Sequence, residues 1–264
     1  MTRISIAVVF AFILLSACCT GRKTEYLSRQ IESGGTKYGY RVYVPPNREN
    51  GKKTPVMLYL HGSNRRGDDN ESQIEDLDEI VRAHPEYFPY IIVYPQCRTE
   101  TFWSGPMMEQ ALAALDQTVE EFNGDKDRLY LAGYSMGGFG VWQTAITYPG
   151  KFAAIVPIAG GVEPVGEISD KDRSILSPQV AAAAASGDTY KAYAAALART
   201  PVWIVHGSED KVVPVAGSRK MFSSLRAVGN PAVVYKELEG VGHGSVNNAF
   251  SDPELVKWLS ERHK

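Results

Sequence analysis

Apolar and polar positions follow two alternating periods along this chain, and the switches between them predict a succession of strands and helices. Tyr38 to Val44 alternates in strand fashion and stops at Pro45-Pro46-Asn47. Val56–Leu60, Tyr90–Tyr94 and Leu129–Ala132 are short unbroken apolar runs, the pattern of strands buried on both faces. Ala153–Ala159, Val202–Val205 and Ala232–Leu238 read as further strands. Helical spacing separates them. Met107–Phe122 carries Leu112, Leu115, Val119 and Phe122 on one side. Glu75–Ala83, the segment from the glycine-rich turn through Tyr148, Val215–Val228 and Pro253–Ser260 complete the helices. This rhythm predicts an α/β fold, a mostly parallel central sheet with helices on both faces. Residues 162–199 interrupt it with a charged loop and two Ala-rich pieces of high helix propensity and little apolar bulk. They read as a surface helix pair or as a small helical cap. The cap is favoured, because loops at this end of a parallel sheet border the ligand crevice.

The first residues are not part of that rhythm. Arg3 precedes Ile4–Leu15, an apolar run broken only by Ser5 and too short to span a bilayer comfortably. Leu15-Ser16-Ala17-Cys18 then resembles a bacterial lipobox, with Cys18 as the lipidated residue. Residues 1–17 are accordingly expected to be a lipoprotein-type signal peptide, 18–35 a tether, and 36–264 the folded domain. A plain secretory signal is the alternative; either way the protein is extracytoplasmic, membrane-anchored or otherwise secreted. Composition adds little. At 44% hydrophobic and 22% charged, 264 residues suffice for one large globular domain. A formal net charge of −2 and the absence of a basic stripe give no reason to expect nucleic acid. Beyond Cys18 and Cys19 only Cys97 remains, so no disulfide framework is present. No Cys-x-x-Cys or His-rich spacing suggests a metal, and no cofactor is expected.

Gly133-Tyr134-Ser135-Met136-Gly137 follows a predicted strand and opens a predicted helix. In that context Gly-x-Ser-x-Gly sets a serine on a sharp, strained turn, its hydroxyl lifted off the sheet, so Ser135 is the candidate nucleophile. A serine hydroxyl needs a base. Of the five histidines, His84 and His263 sit in polar surroundings, and His61 and His206 end strands and read as turn-shaping. His243, in Gly240-Val241-Gly242-His243-Gly244 between the last strand and the last helix, is the candidate base. Its acid partner is Asp210, just past Val202–Val205, with Glu209 the adjacent competitor. Asp210 is preferred because Val212-Val213-Pro214 would anchor its loop. The tetrahedral intermediate needs two waiting N–H donors. Met136, after the nucleophile, and Ser63, in Leu60-His61-Gly62-Ser63-Asn64, are the candidates for that oxyanion hole. Trp103 either lines the substrate pocket or is a half-buried packing residue; both readings stay open.

The order Ser135, Asp210, His243 is that of α/β-hydrolases. Together with Tyr40-Arg41-Val42-Tyr43-Val44-Pro45, Arg66-Gly67-Asp68-Asp69-Asn70, Tyr94-Pro95-Gln96-Cys97 and Val202-Trp203-Ile204-Val205-His206-Gly207, these segments resemble a group of bacterial esterases often labelled predicted peptidases. That group is related to feruloyl esterases, poly(3-hydroxybutyrate) depolymerases and the phospholipase/carboxylesterase proteins. The resemblance implies an α/β-hydrolase fold and a serine esterase acting on small-molecule or polysaccharide esters, such as feruloyl or acetyl groups. Two other readings are weighed against it. One is a serine peptidase like prolyl oligopeptidase; the other is a non-catalytic surface-binding lipoprotein. The stretch 165–199 is longer than the usual connection, and Ser63 replaces a small apolar residue.

Overall fold

The computed structural model describes residues 25–49, 51–166 and 169–264. The expected signal peptide and Cys18 lie outside the described residues. Eight strands form one sheet: β1 (Tyr26–Ser33), β2 (Thr36–Tyr43), β3 (Thr54–Leu60), β4 (Ile91–Pro95), β5 (Gly124–Tyr134), β6 (Ala154–Ile158), β7 (Val202–Gly207) and β8 (Val233–Leu238). Their order is β1-β2-β4-β3-β5-β6-β7-β8. β1 and β2 are antiparallel to their neighbours, and β3 through β8 run parallel.

The helices are α1 (Asp78–Ala83), α2 (Pro106–Glu121), α3 (Met136–Thr147), α4 (Asp170–Ser174), α5 (Pro178–Ala185), α6 (Thr189–Ala196), α7 (Ala216–Ala227), α8 (Val246–Phe250) and α9 (Pro253–Ser260). Successive side chains of a strand point to opposite faces, so an unbroken apolar run supplies two cores at once. On β3, Val56, Leu58 and Leu60 join one core, with Leu112 and Leu115 of α2, Val141 of α3 and Leu225 of α7. Met57 and Tyr59 join the other, with Val81 of α1, Phe250 of α8 and Leu255 of α9. The expected doubly covered, mostly parallel sheet is the observed one.

One expected boundary is corrected. Tyr26–Ser33, within the stretch read as tether, is strand β1, paired over its whole length with β2 from Tyr26↔Tyr43 to Ser33↔Thr36. The two glycines that looked like the end of a linker, Gly34 and Gly35, have φ of 57° and 74° and form the hairpin turn. Only Tyr26 and Ile31 of this strand are buried, so its apolar signal is faint.

The interruption at 162–199 holds α4, α5 and α6, of which α5 and α6 are the two Ala-rich helices expected. Side-chain caps start all three: Ser169 accepts from Asp172 N, Ser177 from Val180 N and Asp188 from Lys191 N. Val180, Ala183, Tyr193 and Ala194 of this unit join the first core.

Candidate active site

The site is built at the carboxyl ends of the parallel strands. β5 ends at Tyr134 and α3 begins at Met136, leaving Ser135 alone to turn the chain. Its backbone takes φ 54° and ψ −117°, a conformation that side-chain-bearing residues rarely adopt. Two contacts impose it: Ser135 N–H donates to Ile158 O (2.9 Å), and Ser135 O accepts from Phe139 N–H (3.1 Å). The tight turn also needs close packing. A Cβ on Gly137 would lie 1.8 Å from Leu60 O, so only glycine lets α3 start this near β3.

The three candidates for acyl transfer converge. Ser135 Oγ is 2.8 Å from His243 Nε2, and His243 Nδ1 is 2.7 Å from Asp210 Oδ2. A carboxylate only accepts, so Nδ1 carries the proton and Nε2 is free to receive the one from Ser135. Glu209 is exposed, and its N–H holds Val241 O (2.9 Å). Asp210 is thus the acid that meets the imidazole. Its Oδ1 accepts the N–H groups of Val212 (2.8 Å) and Val213 (2.9 Å), the anchoring expected of that loop. Burial pushes the Asp210 carboxyl up, but hydrogen bonds from His243, Val213 and Val212 together outweigh it and hold the group below its ordinary value. A Cβ on Gly207 would come 2.2 Å from Val241 O, so the end of β7 must be bare for the histidine loop to reach across it.

Ser63 and Met136 each open a helical turn after adjacent strands, β3 and β5, paired through Leu60↔Gly133. Among the described residues no hydrogen bond uses either N–H. Both residues line the same cavity as Ser135, of about 360 Å³. Trp103 lines that cavity but is wholly buried rather than half-buried, at 1% exposed, and its indole N–H donates to His61 O (3.0 Å). The expected cap borders the cavity through Val162, Val165, Asp172, Leu176, Val180 and Tyr193.

Several supporting residues carried no distinct signal in the sequence. Asp76 accepts from Gly62 N–H (3.0 Å) and from Arg65 Nε (3.1 Å), pinning the loop that presents Ser63. Tyr134 donates its hydroxyl to His243 O (3.0 Å) and sets its ring 5.2 Å from the imidazole. Arg66 lies over the Phe102 ring at 4.9 Å, at the cavity. His61 is a wholly buried brace: Nδ1–H donates to Gly62 O (2.7 Å) and Nε2 accepts from Cys97 N–H (3.0 Å). Burial drives its pKa down to about 4, against smaller upward contributions led by the Gly62 carbonyl. Burial pushes the Cys97 thiol up to about 11, so it is no rival nucleophile.

A serine on the strand-to-helix turn of a parallel sheet, facing a histidine and its acid from later loops, defines the α/β-hydrolase class. Within that class, the chain belongs to the prolyl oligopeptidase family, whose sequence profile matches residues 100–260. It is 26% identical over 237 residues to an uncharacterized secreted protein of Arthroderma benhamiae, covering 83% of this chain and 25% of that protein. It is 33% identical over 123 residues to the bifunctional acetylxylan esterase/xylanase XynS20E of Neocallimastix patriciarum, covering 45% of this chain and 17% of that one. The crystal structure of a thermostable esterase superposes with a TM-score of 0.69 at 28% identity, over 90% of this chain and 63% of that chain. The chain therefore spans a quarter or less of these two relatives' lengths.

Proposed function

We propose that this protein is a serine hydrolase of carboxylic esters, with Ser135 as nucleophile, His243 as general base and acid, and Asp210 as its orienting partner. The observation that carries this reading is the unbroken chain Ser135 Oγ–His243–Asp210 at the wall of a cavity. In the first step His243 Nε2 takes the Ser135 proton while Oγ adds to the ester carbonyl. The N–H groups of Ser63 and Met136 receive the negative oxygen, each such donor contributing roughly 3–4 kcal/mol to the transition state. The imidazolium then returns the proton to the departing alcohol, leaving an acyl-serine. Water, activated by the same imidazole, releases the acid.

The cavity favours an ester with an apolar portion. Phe139, Val162, Leu176 and Val180 line it. Three of the four large apolar side chains exposed among the described residues, Phe102, Val165 and Val212, also stand on it. The acetylxylan esterase relative supports acetyl groups carried on polysaccharide as one acyl class, and the sequence resemblance to feruloyl esterases adds feruloyl groups. Family membership keeps one competitor in view, a peptidase resembling prolyl oligopeptidase. Side-by-side turnover of p-nitrophenyl acetate, methyl ferulate and a proline anilide separates the two. The esters are expected to be cleaved with kcat/KM at least tenfold above the anilide, and the reverse preference overturns the ester reading.

The proposal extends to location. The apolar run before Leu15-Ser16-Ala17-Cys18 and the secreted relative favour an extracytoplasmic enzyme held by a lipid on Cys18. A diacylated chain binds a bilayer firmly, since each buried methylene contributes about 0.8 kcal/mol. Cys18→Ser is expected to move the protein from the membrane fraction to the soluble one; equal membrane retention of both forms would count against the anchor.

A further inference from the structure

A second histidine stands beside the Asp210 carboxylate. His206 is the penultimate residue of β7 and is wholly buried. Its Nε2 lies 3.1 Å from Asp210 Oδ2, the same oxygen that receives His243 Nδ1–H. The ring nitrogen also lies 3.0 Å from Val213 O. A carboxylate and a carbonyl can only accept, so Nε2 carries a proton; it makes its hydrogen bond to Val213 O and lies beside Asp210 Oδ2 at 3.1 Å. On the opposite edge Nδ1 is 2.7 Å from Ser218 Oγ, a buried hydroxyl on α7. Ser218 donates to Nδ1 and fixes the neutral Nε2–H tautomer. Burial depresses the His206 pKa, against raising contributions led by the Val213 carbonyl and Asp210. Neutral His206 is therefore a stable state of this site.

We propose that His206 is a positioning residue of the acyl-transfer site, acting through Asp210 to set the basicity of His243. This inference rests on the triad reading above. Two imidazoles share Oδ2, and two backbone N–H groups hold Oδ1. The carboxylate is fixed in plane and in rotation, so Oδ2 faces the Nδ1 of His243. The neutral donor also draws part of the negative charge away from His243. An N–H dipole that stabilises the carboxylate without its imidazolium partner leaves less to be gained when His243 protonates. The other charged groups facing His206 do not substitute for it. Glu237, its register partner on β8, is engaged by Arg219 (2.8 Å) and by the Tyr235 hydroxyl (2.6 Å). His243 is the other titratable group beside His206.

Two polar replacements separate this role from simple packing. A glutamine amide reaches the place of Nε2 and can still donate to Asp210. An asparagine amide ends near the place of Nδ1, meets Ser218, and leaves Oδ2 without the N–H beside it. The readout is the acid limb of kcat/KM against pH for p-nitrophenyl acetate, which reports the free-enzyme base. In His206→Asn that limb is expected to move up by about one pH unit, and in His206→Gln to stay near wild type. Thermal unfolding of each variant, run in parallel, reports folding. An unmoved or lowered limb in the Asn variant overturns the proposal, as do equal shifts in both variants. If either variant does not fold, the His243 Nδ1–H proton resonance of the remaining one against wild type decides. It is expected to move in the Asn form and hold in the Gln form, and the opposite pattern overturns the assignment. Ser135→Ala, assayed alongside, separates the two readings. Activity that survives it removes the triad itself, whereas Ser135-dependent activity with the wrong pH behaviour removes only His206.

Discussion

Ser135→Ala is expected to lower kcat on p-nitrophenyl acetate by roughly 10⁵-fold while leaving the unfolding midpoint unchanged. The size follows from what is lost. Without Oγ no acyl-enzyme forms, and the reaction falls back on water held near Ser63 and Met136, which retains only a modest advantage over solution. The lack of a stability change follows from the backbone. The strained conformation at 135 is held by main-chain hydrogen bonds to Ile158 and Phe139, which alanine leaves in place. Steady-state assay with denaturant titration of the same preparations checks both halves. A variant keeping more than a hundredth of the activity would remove Ser135 as nucleophile. The same protein should resist labelling by a fluorophosphonate that marks the wild type.

Gly137→Ala addresses stability instead. The added methyl would sit 1.8 Å from Leu60 O and 2.5 Å from its carbonyl carbon. Neither atom can move alone, because Leu60 lies on β3 at the centre of the sheet and Gly137 on the first turn of α3. The helix must lift off the strand, opening the apolar packing of Leu60 and Val141. A cost of about 4 kcal/mol or more is expected, in the range that marks backbone clash and core disruption. Chemical denaturation measures it; a loss under about 1 kcal/mol would mean that α3 is not packed as described.

The parallel core was readable because its strands are buried on both faces. Val56–Leu60 and Tyr90–Tyr94 contain no polar position that could hide the element. β1 was not readable, since Arg29, Gln30 and Glu32 outnumber the buried Tyr26 and Ile31, and the Gly34-Gly35 turn looks like a linker. The meeting of Ser135, His243 and Asp210 was legible because each lies in the connection that follows a parallel strand, where glycines mark the turn. Asp76 was not. It stands in the acidic run Glu75-Asp76-Leu77-Asp78-Glu79, and nothing local distinguishes the carboxylate that turns inward to Gly62 from those left in water. His206 was read as a turn residue for the same reason: its partner on α7, Ser218, is twelve positions away and carries no motif.

The antiparallel hairpin at the sheet's edge has a directional consequence. β2 runs against both β1 and β4, so β1 points the same way as the parallel strands and Tyr26 lies level with Ile92, near the start of β4. Ser135 and Asp210 follow the other ends of their strands. Any cord attached ahead of Tyr26 therefore pulls on the floor of the molecule and leaves its mouth turned outward. With the lipid proposed on Cys18 in place, the cavity would open on the side opposite the anchored end of the chain.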